Sequence, residues 1–232
     1  MHFPKQMLLN NVAWANEALY EDPQLFERLR YGQAPRVLWI GCADSRVPAE
    51  IITGARPGEL FVHRNIANLF LPHDDNTMSV VEYAVSVLEV RDIVICGHYG
   101  CGGVQASLGA VREDLPHVEQ RIQPLRRLAT QHEDELDAIA DIGERTNRLV
   151  EISVVEQARL VSDAPAVRDA VPRPSVHAWV FDIRNGLIRT LPYGPAGERV
   201  DQGSYAVGGA KAAYGRSPAC CEAPPAREAA DV

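Results

Sequence analysis

No stretch of the 232 residues approaches the roughly 18 consecutive apolar residues that a membrane-spanning helix needs. The opening "MHFPKQMLLNNVAWANEALYEDP" also lacks an uninterrupted apolar core and an A-x-A-like cleavage site, so neither a membrane nor export is expected and the expected location is cytoplasmic. Basic side chains are in the minority. Lys and Arg number 23 against 31 Asp and Glu, and the net charge of -8 opposes a phosphate backbone, which argues against a nucleic-acid partner and favours a small or neutral ligand. Cysteines are few and odd in number, five, at positions 42, 96, 101, 220 and 221. A disulfide framework is therefore not expected, and metal binding or catalysis becomes the better use for them. From Gly208 to Val232 large apolar side chains are scarce and Ala, Gly and Pro prevail, so residues 208–232 read as a flexible tail on one domain spanning residues 1–207.

What is present is the alternation of an α/β protein. Leu8, Leu9, Val12, Ala15 and Leu19 recur at helical spacing before Pro23, predicting an amphipathic helix over Leu8 to Tyr20. "RVLWIGC" (36 to 42), "ELFVHRN" (59 to 65) and "DIVICGH" (92 to 98) read as buried strands. "SVVEYAVSVLEV" (79 to 90) reads as a helix opened by a Ser79–Glu82 capping box. Strand, helix and strand at this spacing form a right-handed crossover, so the expected fold is a mainly parallel sheet flanked by helices. "LPHVEQRIQPLRRLATQH" and "EISVVEQARLVSD" continue as helices, and "VHAWVFDIRNGLIRTL" as two strands turning at Asn185-Gly186.

Ligands of such sheets gather at the carboxyl ends of the strands, where Cys42 and His98 both stand. Cys101 follows at His-x-x-Cys spacing and is expected to open a helix, where free backbone amides favour a thiolate. Two thiolates and an imidazole match zinc, and three protein ligands leave a fourth position open, as in catalytic sites. Cys96 falls inside its strand and reads as core. Two other uses of these segments fail on sequence: a dinucleotide loop counted from Gly100 needs Gly at 105 and finds Gln105, and a phosphatase loop starting at Cys42 needs Arg at 48 and finds Pro48. In an extended chain Cys42, Asp44 and Arg46 would share a face. Asp44 then has two alternative tasks: to take the metal's fourth position, or to pair with Arg46 and accept a hydrogen bond from a zinc-bound hydroxide.

These residues resemble the beta class of carbonic anhydrases. "CADSR" (42 to 46) and "HYGCGG" (98 to 103) match that family's motifs, with "FVHRNIAN" (61 to 68) and "EYAV" (82 to 85) falling where its active-site segments do. The resemblance implies reversible hydration of CO2 to bicarbonate at one zinc per subunit, held by Cys42, His98 and Cys101, with Asp44 and Arg46 as a catalytic dyad. It further implies a homodimer, commonly paired into a tetramer, with the N-terminal helix lying on the partner. Gln33 and the amide of Gly102 match donors to substrate oxygen, and Phe61, Ile66 and Tyr83 match the apolar pocket. One subset of the family closes at low pH by moving the aspartate onto zinc, a state that bicarbonate stabilises. Trp39, Val47 and Arg64 match that subset's regulatory pocket, while Phe181 replaces its tyrosine and removes a hydrogen bond to the anion. Hydrolysis of CS2 or COS on the same scaffold, and a non-catalytic zinc-stabilised module, are the competing expectations.

Overall fold

A computed structural model describes residues 3–193; the tail expected at 208–232 and Cys220 and Cys221 lie outside them. In chain order the elements are α1 (Phe3–Glu21), α2 (Leu25–Leu29), β1 (Val37–Cys42), α3 (Ala49–Thr53), β2 (Leu60–Asn65), a 3-10 turn (Ile66–Asn68), α4 (Asp75–Ser86), β3 (Asp92–His98), α5 (Gly102–Leu108), α6 (Pro116–Gln131), α7 (Glu133–Asp137), α8 (Ile142–Asp163), α9 (Pro165–Arg168), β4 (Ser175–Asp182) and β5 (Leu187–Thr190). The strands form one sheet in the order β2-β1-β3-β4-β5. The first four are parallel and β5 pairs antiparallel with β4 through the Asn185-Gly186 turn. Within the described residues no helix is long and apolar enough to cross a membrane.

β1 and β3 are apolar on both faces because both faces are covered. Leu38, Ile40, Ile93 and Ile95 join the main core, together with Val81 of α4, Ile122 and Leu125 of α6 and Leu149 of α8. The other face carries a smaller cluster of Trp39, Val47, Val94, Cys96 and Phe181. Cys96 is fully buried there, and burial pushes its thiol well above the usual range, as expected of a core residue. α8 lies so close to β3 that a Cβ at Gly97 would stand 2.5 Å from Val154 Cγ2, which leaves room for nothing larger than glycine.

Two sequence expectations need correction. α4 does not begin with a Ser79–Glu82 box. It starts a turn earlier, because Asp74 offers a better cap: its carboxylate accepts hydrogen bonds from Asn76 N–H, Thr77 Oγ1 and Arg121 Nη1. Ser79 instead donates to the Asn76 carbonyl inside the helix. α8 begins at Ile142 rather than near Glu151, capped by Asp141 accepting from Glu144 N–H.

The Arg121 guanidinium, with the Thr77 and Asn76 donors, holds the Asp74 carboxyl down at about 2, against the usual 3.8. A group depressed on folding stabilises the fold above its unfolded pKa and loses that contribution as pH falls through its folded one. Asp74→Ala is therefore expected to cost about 2 kcal/mol at pH 7 in urea unfolding. The gap between variant and wild type should close as the pH falls from 4 towards 2. A gap that stays constant over that range would remove the assignment.

α1 buries none of its residues, and Phe3, Met7, Leu8, Val12 and Leu19 stand exposed. Only Trp14 makes an aromatic contact with the following helix, edge-on to Phe26 at 5.7 Å.

Candidate metal centre

Parallel register builds the site. Gly41 of β1 lies opposite Cys96 of β3, so the two strands end together and deliver Cys42 and His98 to one edge. The chain then leaves β3 through Tyr99 and Gly100, and Cys101 caps the amino end of α5. The three buried side chains Cys42, His98 and Cys101 offer ligand atoms all within 4.8 Å of one another. Their sulfurs are 3.9 Å apart. A tetrahedral zinc with Zn–S bonds of about 2.3 Å separates two sulfurs by about 3.8 Å, so the spacing fits that ion.

The protons point the same way. His98 Nδ1 lies 3.1 Å from the Tyr99 carbonyl, which fixes the hydrogen on Nδ1 and leaves Nε2 a bare lone pair. His98 Nε2 is buried without a hydrogen-bond partner, as a metal-binding nitrogen would be before loading. A hydrogen bond from Cys101 draws the Cys42 thiol far below its usual range, while the same bond and burial push Cys101 up. One negative charge therefore forms readily here, and it opposes a second beside it.

Asp44 and Arg46 meet, but not as a shared strand face. β1 stops at Cys42 and the chain turns, with Val47 N–H donating to the Asp44 carbonyl. The pairing survives because the turn folds Arg46 back. Its backbone N–H and Nε each donate to Asp44 Oδ1 at 2.9 Å, and its Nη2 donates to Oδ2 at 2.7 Å. This two-pronged pair holds the Asp44 carboxyl well below the usual carboxylate range. Asp44 Oδ2 also lies 3.6 Å from His98 Nε2, beside the position a metal would take.

Several anchors of the site carry no sequence signal. Asn147 of α8 accepts from Gly100 N–H at 2.9 Å, and Tyr99 Oη donates to Glu151 at 2.7 Å, tying the loop after β3 to a helix 47 and 52 residues further on. Arg64, matched by resemblance to a bicarbonate pocket, donates Nε to the Cys42 carbonyl at 3.0 Å and Nη2 to the Asp44 carbonyl at 2.6 Å. Trp39, Val47 and Phe181 of that proposed pocket are all buried in the smaller apolar cluster.

The substrate-binding candidates divide into two groups. Gly102 starts α5 next to Cys101, and Ile66 touches that helix at Gly103. Phe61, by contrast, lies opposite Leu38, four residues and about 13 Å before Cys42 along the strands. Its ring contacts Tyr83 of α4 at 5.9 Å. Gln33 lies on the exposed loop entering β1 at its amino end, the end away from the cluster.

A family model described as carbonic anhydrase matches residues 37–188. Among curated relatives, a carbonic anhydrase of Emericella nidulans is 47% identical over 185 residues, covering 78% of this chain and 80% of the relative. One of Pseudomonas aeruginosa is 38% identical over 177 residues, covering 72% and 78%. Among solved structures, a beta-carbonic anhydrase of Sordaria macrospora, described as tetrameric, matches with a TM-score of 0.80 at 40% identity, covering 84% of this chain and all of that one. The Aspergillus fumigatus enzyme CafA matches at 0.77 and 39%, covering 81% and 89%.

Proposed function

Because this chain belongs to the carbonic anhydrase family, in its beta class, we propose that it hydrates CO2 reversibly to bicarbonate and a proton, using zinc held by Cys42, His98 and Cys101 and a gate formed by Asp44 and Arg46. The observation that carries this reading is the buried Cys-His-Cys cluster, with its unpartnered His98 Nε2 beside a carboxylate clamped by arginine. Zinc bound there would supply acidification of a water molecule at its fourth position. Two thiolate ligands offset much of the ion's charge, which moves that acidification to the alkaline side of an all-histidine site, whose water titrates near pH 7.

The chain's own groups do the rest. Arg46 keeps the Asp44 carboxyl ionised, so it accepts hydrogen bonds without taking the proton. Held in this way, the carboxylate orients a water hydrogen towards itself and a lone pair towards the substrate. Ile66 and the Gly102 amide give a small uncharged molecule an apolar wall and one donor. The gate follows from reach. Asp44 Oδ2 needs only a short swing from Arg46 to arrive at the metal's fourth position, where it would exclude water. An anion reaching Arg64 would compete for the two carbonyl bonds that fix this same loop, so any response to bicarbonate acts on the gate's own backbone.

The test is stopped-flow CO2 hydration from pH 6.5 to 9, before and after zinc removal. Turnover should rise steeply with pH, because water displaces Asp44 more readily as it ionises, and should vanish without metal. Asp44→Asn, which binds the cation weakly, should keep its zinc, lose about a hundredfold in alkaline turnover and show a flattened profile. No hydration at pH 9 with one zinc per chain would remove the enzymatic reading and favour a structural zinc. A flat wild-type profile would remove the gate alone.

Assembly completes the proposal. The exposed face of α1 supplies apolar surface for a partner subunit, and the Gln33, Phe61 and Tyr83 group would serve the metal centre of a second copy.

A further inference from the structure

"FVHRNIAN" contains two asparagines that the chemistry above does not use. Asn65 ends β2 opposite Cys42, and its carbonyl accepts from Ala43 N–H at 2.8 Å. Its side chain then reaches ahead and closes a ring: Nδ2 donates to the Leu69 carbonyl at 2.9 Å and Oδ1 accepts from Leu69 N–H at 2.8 Å. Enclosed by that ring are two consecutive non-glycine residues in the left-handed region, Ala67 at φ 60° and Asn68 at φ 48°. Both are buried, and an L-residue holds that conformation only where its surroundings over-determine it.

The strained pair has a use. It presses Ile66 and Ala67 onto Gly103, where a Cβ would lie 2.9 Å from Ile66 Cγ2 and 3.3 Å from Ala67 Cβ. Gly103 is the second residue of α5, the helix that Cys101 caps, and Ile66 keeps 40% of its surface open beside it. One side-chain amide thus links the strand end that carries Cys42 to the helix that begins at Cys101.

We propose that Asn65 is a positioning residue for the hydration reaction: its two-bond bridge to Leu69 holds the left-handed Ala67–Asn68 turn, and through it sets Ile66 on the wall of the substrate pocket. This rests on the hydration reading, but it acts on where the substrate sits rather than on the metal. Asn65→Ala should therefore keep one zinc per chain and a kcat within about threefold of wild type, while kcat/KM for CO2 falls at least tenfold through KM. Ala67→Gly added to Asn65→Ala should recover at least threefold of that loss, because glycine adopts the left-handed turn without a bridge. A residue needed only for general packing would not be rescued by removing a methyl group two positions away.

Amide exchange in the zinc-free protein provides a readout independent of activity. The Leu69 amide should exchange at least tenfold faster in Asn65→Ala. Unchanged kcat/KM, a loss that Ala67→Gly does not relieve, or unchanged Leu69 exchange would each overturn the proposal. If Asn65→Ala alone does not fold, a soluble, active Asn65→Ala/Ala67→Gly protein supports it and an insoluble one overturns it. A wild-type chain without hydration activity would instead count against the reading of the reaction, while Leu69 exchange would still report on the bridge.

Discussion

Replacing Cys42 with serine is expected to leave a folded chain that retains less than about a tenth of an equivalent of zinc after dialysis and has lost at least about a thousandfold in CO2 hydration. The size of the effect comes from charge. A serine hydroxyl does not ionise near neutrality, so the site would keep one thiolate and one imidazole, one anionic sulfur fewer than the zinc set needs. The fold should tolerate the change. Cys42 ends its strand, its sulfur lies 3.9 Å from that of Cys101, and a hydroxyl is close to isosteric with the thiol. Melting of the metal-free variant should then match that of metal-free wild type within a few degrees, while zinc should raise the melting point of the wild type alone. A serine variant that keeps a full equivalent of zinc and more than a tenth of the activity would show that Cys42 is not a ligand.

The convergence of Cys42, His98 and Cys101 was legible in the sequence because short-range rules and one topological rule sufficed. "RVLWIGC" and "DIVICGH" identify themselves as strands by their apolar residues, and parallel pairing of neighbouring strands brings their carboxyl ends together whatever the details. The dyad was legible for a reason that needed correcting. Asp44 and Arg46 meet by a turn that closes on the Asp44 side chain, not by the alternation of an extended strand. Other features were hidden by competition or by distance. Ser79 and Glu82 make an acceptable cap, yet Asp74 prevails because Arg121, 47 residues further on, adds a charge to its local bonds. Asn147 and Gly100 are likewise 47 residues apart, and nothing in either segment marks the other. Asn65 shows the same limit in a short segment: its motif is visible, but the left-handed turn inside its bridge falls on Ala67 and Asn68, where no glycine announces it.

Two chains, each nearly inactive alone, are expected to restore about a quarter of wild-type hydration when co-expressed in equal amounts, one carrying Cys42→Ser and the other Gln33→Ala with Phe61→Ala. The reasoning starts from a mismatch within the single subunit. The metal cluster sits at the carboxyl ends of β1 and β3, whereas Gln33 enters β1 at its amino end and Phe61 lies opposite Leu38, with Tyr83 against its ring and 44% exposed. Resemblance assigns both groups to one substrate. A twofold dimer that set the amino-end group of one chain against the carboxyl-end cluster of its partner would reconcile them, because twofold contacts are reciprocal. Random pairing makes about half of the dimers mixed, and each mixed dimer joins one intact metal centre to one intact Gln33 and Phe61 from the opposite chain. Its other centre lacks both Cys42 and the donor group, so one site in two works. If Gln33 and Phe61 served the metal of their own chain, every site in every dimer would carry a defect, and the mixture would show no more activity than the average of its two parents. That outcome would place the substrate pocket within a single subunit.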